Sequence, residues 1–191
     1  MQPLKDRICE QGRVVSTKVL KVDAFLNHQL DFELLNQMGE AFYSHFSSKG
    51  ITKILTIEAS GIAIAIIAAQ YFKVPVVFAK KTESINLAGD LWTSKVHSFT
   101  KQRDYDIMVS KQFITAEDTV LILDDFLAEG SASKGLMEIC QLAGAALGGV
   151  GIAIEKGFQQ GGQVLREQGV DLLSLAVIKE MSPEQGITFG A

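Results

Sequence analysis

Two adjacent carboxylates, Asp124 and Asp125, follow the apolar run Thr119–Leu123 and precede the small-residue stretch Ala128-Glu129-Gly130-Ser131-Ala132. Ionised carboxylates accept hydrogen bonds and donate none, so the pair suits a ligand rich in hydroxyls. A helical pattern opens at Ser131. A helix start presents unpaired backbone N–H groups and a partial positive charge, which together hold a phosphate. Gly130, with Ala128 and Ala132, lets the backbone come close to such a group, and Ser131 and Ser133 add hydroxyl donors. Taken together, the acids suit the two hydroxyls of a ribose whose 5′-phosphate sits in the loop. The plainer reading is a solvated aspartate pair capping an ordinary helix.

A second turn repeats the layout. Residues 54–62, Ile-Leu-Thr-Ile-Glu-Ala-Ser-Gly-Ile, read as strand, small loop and helix, and the N–H groups of Ala59, Ser60 and Gly61 are placed to hold another anion. By itself the segment is equally a tight turn with no ligand. Lys80 and Lys81 close a further apolar stretch and either add positive charge or form a surface pair. Cys9 and Cys140 are far apart, match no metal spacing and read as free thiols.

The elements that must carry these groups follow from periodicity. Short apolar, β-branched runs predict strands at Ile51–Ile57, Val74–Ala79, Thr119–Leu123, Gly149–Ile154 and Leu172–Ile178. Helices are expected over Pro3–Gln11, from Phe32 behind an Asp31 cap to Lys49-Gly50, and over Ile62–Phe72, Ser131–Ala143 and Gln159–Gln168. Strands alternating with helices give an α/β fold, a mainly parallel central sheet covered on both faces. Ligands of such sheets bind beyond the carboxyl ends of the strands, where both turns fall. Arg13–Leu30 is irregular with short strands and reads as a small hood. Lys80–Glu117 is less regular, with Val96–Thr100 and Asp106–Ser110 able to pair. No repeat or Pro/Ser linker interrupts the chain, so residues 1–191 read as one domain with residues 13–30 as its hood.

Composition restricts the function. With 47% hydrophobic and 21% charged residues the chain is globular. A net charge of −4 and a pI near 5.4 argue against a protein that coats nucleic acid. They leave room for an anionic small molecule in a locally positive pocket. The apolar segments Gly61–Ala69 and Ala143–Ile154 are too short or interrupted to span a bilayer, and the N-terminus lacks the apolar core of a signal peptide. A cytoplasmic protein with no membrane partner is expected.

The strand, acid pair, small loop and helix of residues 120–133 resemble the motif of type I phosphoribosyltransferases that binds 5-phosphoribosyl pyrophosphate (PRPP). Residues 20–29, 98–102, 124–128 and 154–156 are similar to the bacterial xanthine phosphoribosyltransferases within that family. The resemblance implies that Ala128, Glu129, Gly130, Ser131 and Ala132 hold the 5′-phosphate of PRPP and that Asp124 and Asp125 act in catalysis. It implies pyrophosphate contacts at Ala59, Ser60, Gly61 and Lys81, and base contacts from Leu20 and Asn27 in the hood and from Lys156 at a strand end. Mg²⁺ would be bound mainly through PRPP, and the assembly would be a homodimer. Phe25, Leu26 and Trp92, taken as exposed, are compatible with that interface.

The residue chemistry agrees with a purine. Lys156 only donates, which favours a 6-oxo group over the amino group of adenine, and an Asn27 amide can donate to a 2-oxo group. Each also has a bland reading, as a surface charge or a turn residue. The loop departs from the resembled pattern, which has Asn and Gln in the places of Glu129 and Ser131. The carboxylate of Glu129 should therefore point away from the phosphate. A cover that excludes water is expected within Thr82–Ser110. Two other readings compete: a hypoxanthine-guanine phosphoribosyltransferase, and a non-catalytic PRPP-sensing regulator that binds nucleic acid.

Overall fold

The computed structural model describes residues 1–81, 90–98 and 103–190. Residues 82–89 of the expected cover and residues 99–102 of the resembled segments lie outside the described residues.

The chain opens with helix α1 (Gln2–Gln11), the hairpin β1 (Arg13–Ser16) and β2 (Val19–Lys21), and one π-helical turn, Asp23–Asn27. Helix α2 (Phe32–Phe46) begins at Asp31, whose side chain accepts the N–H of Leu34 at 3.0 Å and also pairs with Arg7 of α1. One cap residue therefore fixes a helix start and ties the first helix to it.

The α/β core follows as β3 (Lys53–Ile57), α3 (Ser60–Phe72), β4 (Val76–Lys81), β5 (Leu91–Ser98), β6 (Arg103–Ser110), β7 (Thr119–Leu127), α4 (Ser131–Ala143), β8 (Ala146–Lys156), α5 (Gly161–Glu167), β9 (Leu172–Ser182) and β10 (Gly186–Phe189). Among the described residues one eight-stranded sheet runs β10-β9-β8-β7-β3-β4-β6-β5. The pairs from β9 across to β4 are parallel, and β10, β6 and β5 add antiparallel edges. The parallel region confirms the expected fold class.

Alternation along β7 shows how one strand builds two cores. Leu121 and Leu123 face a cluster with Phe42 and Phe46 of α2 and Ile64 of α3. Val120 and Ile122 face the other side, against Leu136 and Ile139 of α4. Both faces are covered, which is why β7 reads as a continuous apolar run. At Gly151 of β8 both β7 and α2 come close: a Cβ there would lie 2.5 Å from Leu123 Cδ2 and 2.7 Å from Phe42 Cδ1. Gly151→Ala is expected to lower stability by about 1–3 kcal/mol through overpacking. The urea midpoint should fall while turnover per folded molecule is kept.

Several boundaries differ from the sequence reading. Strand β7 runs on through the acids to Leu127, because β8 continues beside it and pairs Phe126 with Ile154 and Leu127 with Glu155. The less regular stretch holds the long antiparallel pair β5–β6, in full register from Leu91 to Ser98. Helix α5 starts at Gly161, which leaves Gln159 in a turn. Strand β10 was not foreseen. Phe25 and Leu26 are not exposed as supposed: both are fully buried, in the cluster that contains Leu4 and Ile8 of α1. The π-helical turn faces them inward, so they offer no docking surface. Trp92 is half-buried and donates its indole N–H to the Ile114 carbonyl at 3.1 Å.

Candidate active site

Strands β3 and β7 are neighbours at the centre of the sheet, and from them the chain proceeds outward in opposite directions, to β4 and to β8. Their carboxyl ends therefore form the switch point at which open parallel sheets bind ligands. The two small-residue turns stand side by side there.

The loop after β7 is shaped by glycine on both sides. Gly130 has φ +82°, a left-handed conformation that glycine adopts without strain, and it turns the chain into α4. No side chain caps that helix, so its first N–H groups are left for another acceptor. Gly161, at the start of α5, donates its N–H to the Ala128 carbonyl at 3.0 Å, and a Cβ on Gly161 would collide with that carbonyl. The turn before α5 thus clamps the loop from behind.

Ala128–Ser133 line one side of a cleft of about 590 Å³, and Lys156 lines it too. A smaller recess of about 180 Å³ is formed by Glu58, Ala59 and Ser60 of the β3 turn with Lys81, Asp124 and Asp125. Tyr105 and Ala132 belong to both, so cleft and recess adjoin at these two residues, with the acid pair on the recess side. Gly61 lies behind the recess: a Cβ on it would collide with Thr56 Oγ1 and stand 3.1 Å from Asp124 Oδ1. Glycine at this position lets α3 start against the end of β7. The Glu58–Ala59 peptide is cis, and Glu58 Oε1 accepts the N–H of Lys81 at 2.6 Å.

The charges in this trough are unequal. Asp124 is 4% exposed and accepts the N–H of Asp125 at 2.9 Å. Burial, then the charge of Asp125, pushes its carboxyl well above the usual carboxylate range, and Lys81 acts in the opposite sense. Lys156 Nζ donates to the Lys18 carbonyl at 2.7 Å and stands 5.5 Å from the centre of the Phe126 ring. Burial lowers its pKa and Asp125 raises it, with burial the larger.

Of the residues singled out in the sequence, Asp124, Asp125, Ala59, Ser60 and Lys81 come together in the recess, and Ala128–Ala132 and Lys156 in the cleft. Leu20 and Asn27 do not line it. Leu20 is 7% exposed within the core, and Asn27 is exposed at the end of the π-helical turn. The hood reaches the cleft through Lys18 and Val19 instead. Other lining residues were not singled out from the sequence, among them Tyr105 and His97, which antiparallel pairing brings in from β6 and β5, Phe126, and Gln159 from the turn after β8. Beneath the site, Glu155 of β8 is 3% exposed and is held by the two terminal nitrogens of Arg166, at 2.8 and 2.7 Å, and by Ser174.

No family model matches the chain. A xanthine phosphoribosyltransferase of Ruminiclostridium cellulolyticum is 60% identical over 95% of both chains. That of Bifidobacterium longum is 57% identical over 99% of both, and xanthine phosphoribosyltransferase 1 of Clostridium perfringens is 55% identical over 95% of this chain and 96% of its own. Among solved structures, adenine phosphoribosyltransferase of Trypanosoma brucei superposes with a TM-score of 0.76 at 19% identity, over 92% of this chain and 79% of that one. The Rhodothermus marinus adenine enzyme gives 0.75 at 21% identity, over 93% and 99%. These structural likenesses speak to the fold alone. With more than half of its residues shared along nearly its whole length, the chain belongs to the xanthine phosphoribosyltransferase family.

Proposed function

We propose that the chain transfers the phosphoribosyl group of PRPP to a ring nitrogen of xanthine, giving xanthosine 5′-monophosphate and pyrophosphate. One observation carries this reading. Two anion-compatible turns, on neighbouring parallel strands, open on a cleft and an adjoining recess that share Tyr105 and Ala132, with the acid pair in the recess, so that together they offer one trough. A substrate with a phosphate at one end of a ribose and a diphosphate at the other needs such a trough. The three relatives named above carry the name xanthine phosphoribosyltransferase, which favours xanthine over the hypoxanthine-guanine alternative. The enzyme names also speak against a non-catalytic regulator.

In this reading Ala128–Ala132 hold the 5′-phosphate, and Ala59, Ser60, Gly61 and Lys81 surround the diphosphate. Asp124 and Asp125 accept from the ribose hydroxyls. The base nitrogen bonds to the anomeric carbon, the bond from that carbon to the diphosphate oxygen breaks, and the proton of the base nitrogen passes to water. Positive charge develops on the sugar as the bond breaks, as in glycoside hydrolysis. The carboxylate of Asp125 stabilises it, and Lys81 stabilises the departing diphosphate. No protein nucleophile is needed.

Among the described residues no group of three His, Cys, Asp or Glu side chains is placed to hold a metal by itself. The two adjacent carboxylates of Asp124 and Asp125 fit Mg²⁺ carried in on PRPP, where it would neutralise diphosphate charge. Leu20 and Asn27 belong to the proposal as hood residues next to the base; the hood carbonyl of Lys18 already fixes Lys156 over the cleft. One domain spanning residues 1–191, a homodimer and a cytoplasmic site of action complete it. No helix among the described residues is long and apolar enough to cross a membrane.

Pyrophosphate release, followed with xanthine, guanine, hypoxanthine and adenine, tests the assignment, and xanthine should give the highest kcat/KM. Lys156→Ala should raise the KM for xanthine roughly ten- to a hundredfold, the worth of one charged hydrogen bond. The KM for PRPP should stay within a few-fold. An unchanged KM for xanthine would remove Lys156 from the base site.

A further inference from the structure

We propose that Gln159 reads the purine together with Lys156, its side-chain amide oxygen accepting the ring N–H that neighbours the 6-oxo group. The inference rests on the purine transfer proposed above.

Gln159 sits in the turn between β8 and α5. Its backbone N–H donates to the Lys156 carbonyl at 2.9 Å, so the two side chains leave a single turn. It lines the cleft with Lys156, Lys18 and Val19. Its Oε1 is shut off from solvent, and no donor among the described residues reaches it. A buried polar atom in that state opposes folding, and such atoms are rare. The wall of the cleft thus supplies no structural reason for an amide at this position, and a leucine of similar size would pack there without the penalty. The terminal torsion of glutamine is broad, so the amide turns toward the cleft with no change in the backbone.

The ligand chemistry matches. Along one edge a 6-oxopurine offers an acceptor, the oxo group, beside a donor, the N–H at position 1. Lys156 can only donate and Gln159 can accept, so together they present the complement. Adenine presents the reverse, an amino donor beside an acceptor nitrogen. With adenine in place the ammonium of Lys156 would face an amino group and the glutamine oxygen a lone pair. Sites that hydrogen-bond a substrate N–H reject the analogue that lacks it far more strongly than apolar pockets do. Gln159 is on this reading a specificity-determining residue, supplying the half of the discrimination that a lysine cannot.

The test compares the wild type with Gln159→Leu for pyrophosphate release with xanthine, hypoxanthine, guanine and adenine, and measures the thermal midpoint of each protein. Gln159→Met, of the same length, serves if the leucine variant does not fold. For xanthine, kcat/KM should fall about tenfold, the loss expected for one hydrogen bond. The xanthine-to-adenine ratio should shrink by a similar factor, the KM for PRPP should stay within a few-fold, and the midpoint should hold or rise. An unchanged kcat/KM for xanthine overturns the proposal. So does an equal loss on all four bases with a lowered midpoint, which marks an amide that only supports the fold. A wild type that releases pyrophosphate with no purine overturns the transferase reading itself, and the inference with it.

Discussion

Asp125→Asn should lower kcat by a factor on the order of 100 while leaving the KM for xanthine and PRPP within a few-fold. The substitution keeps the shape of the side chain and its place in the recess, and removes the negative charge that in the proposed reaction faces the sugar as the bond to diphosphate breaks. Because that charge matters most in the transition state, its loss should appear in turnover rather than in ground-state binding. Asp124→Asn should differ in a second readout. Its carboxyl is pushed up by burial and by the charge of Asp125, so the folded chain holds a proton that the unfolded chain releases. Stability therefore declines as pH rises from the ordinary carboxylate range towards the raised value. Asparagine removes that titration. The thermal midpoint of Asp124→Asn at neutral pH should rise above that of the wild type and depend less on pH, even as turnover falls. If steady-state kinetics showed both variants within a few-fold of the wild type, the acid pair would have no part in the chemistry.

Arg166→Ala should be the most destabilising single change outside the apolar core, with a loss of about 3 kcal/mol in urea or thermal unfolding. Burial raises the pKa of Glu155, but hydrogen bonds from Arg166 and Ser174 and the charge of Arg166 outweigh it, so the carboxyl sits below its usual range. A lowered carboxylate pKa contributes stability that is present above the unfolded-state value and is lost as pH falls through the folded one. Without Arg166, burial would dominate and Glu155 would take up a proton on folding, so the contribution would disappear at neutral pH. The double variant Glu155→Leu/Arg166→Leu should recover part of the loss, since it leaves no unpaired charge. Equal stabilities of the single and double variants would show that the cost lies in packing of the arginine stem. Glu155 immediately precedes Lys156, and a Cβ on Gly162 would collide with it, so the pair also fixes where β8 delivers its lysine and where α5 begins.

Parts of this arrangement were legible residue by residue. Asp124, Asp125 and Ala128–Ala132 lie in one run of nine residues, and a phosphate cradle at a helix start is made from consecutive backbone groups. The same holds for Ala59–Gly61, and for the Asp31 cap of α2, which bonds three residues ahead. Lys156 could be named through family resemblance, but its contact is with Lys18, 138 residues away, and no periodicity encodes such a pairing. Phe25 and Leu26 were misread as exposed because a π-helical turn has no simple alternation of buried and open positions, and α1 covers both.

The sequence by itself determined the alternation of strand and helix, the two turns able to hold anions, and the acids between them, because each follows from neighbouring residue types and short-range backbone geometry. Only the tertiary structure decided that β3 and β7 lie side by side, so that the two turns share one trough. It alone seated Tyr105 and His97 from the antiparallel strands, Gln159 from its turn and the Lys18 carbonyl from the hood around that trough. The reason is physical: strand order and cleft walls are set by burying two apolar faces against helices from distant parts of the chain, and that global packing leaves no mark at any one position.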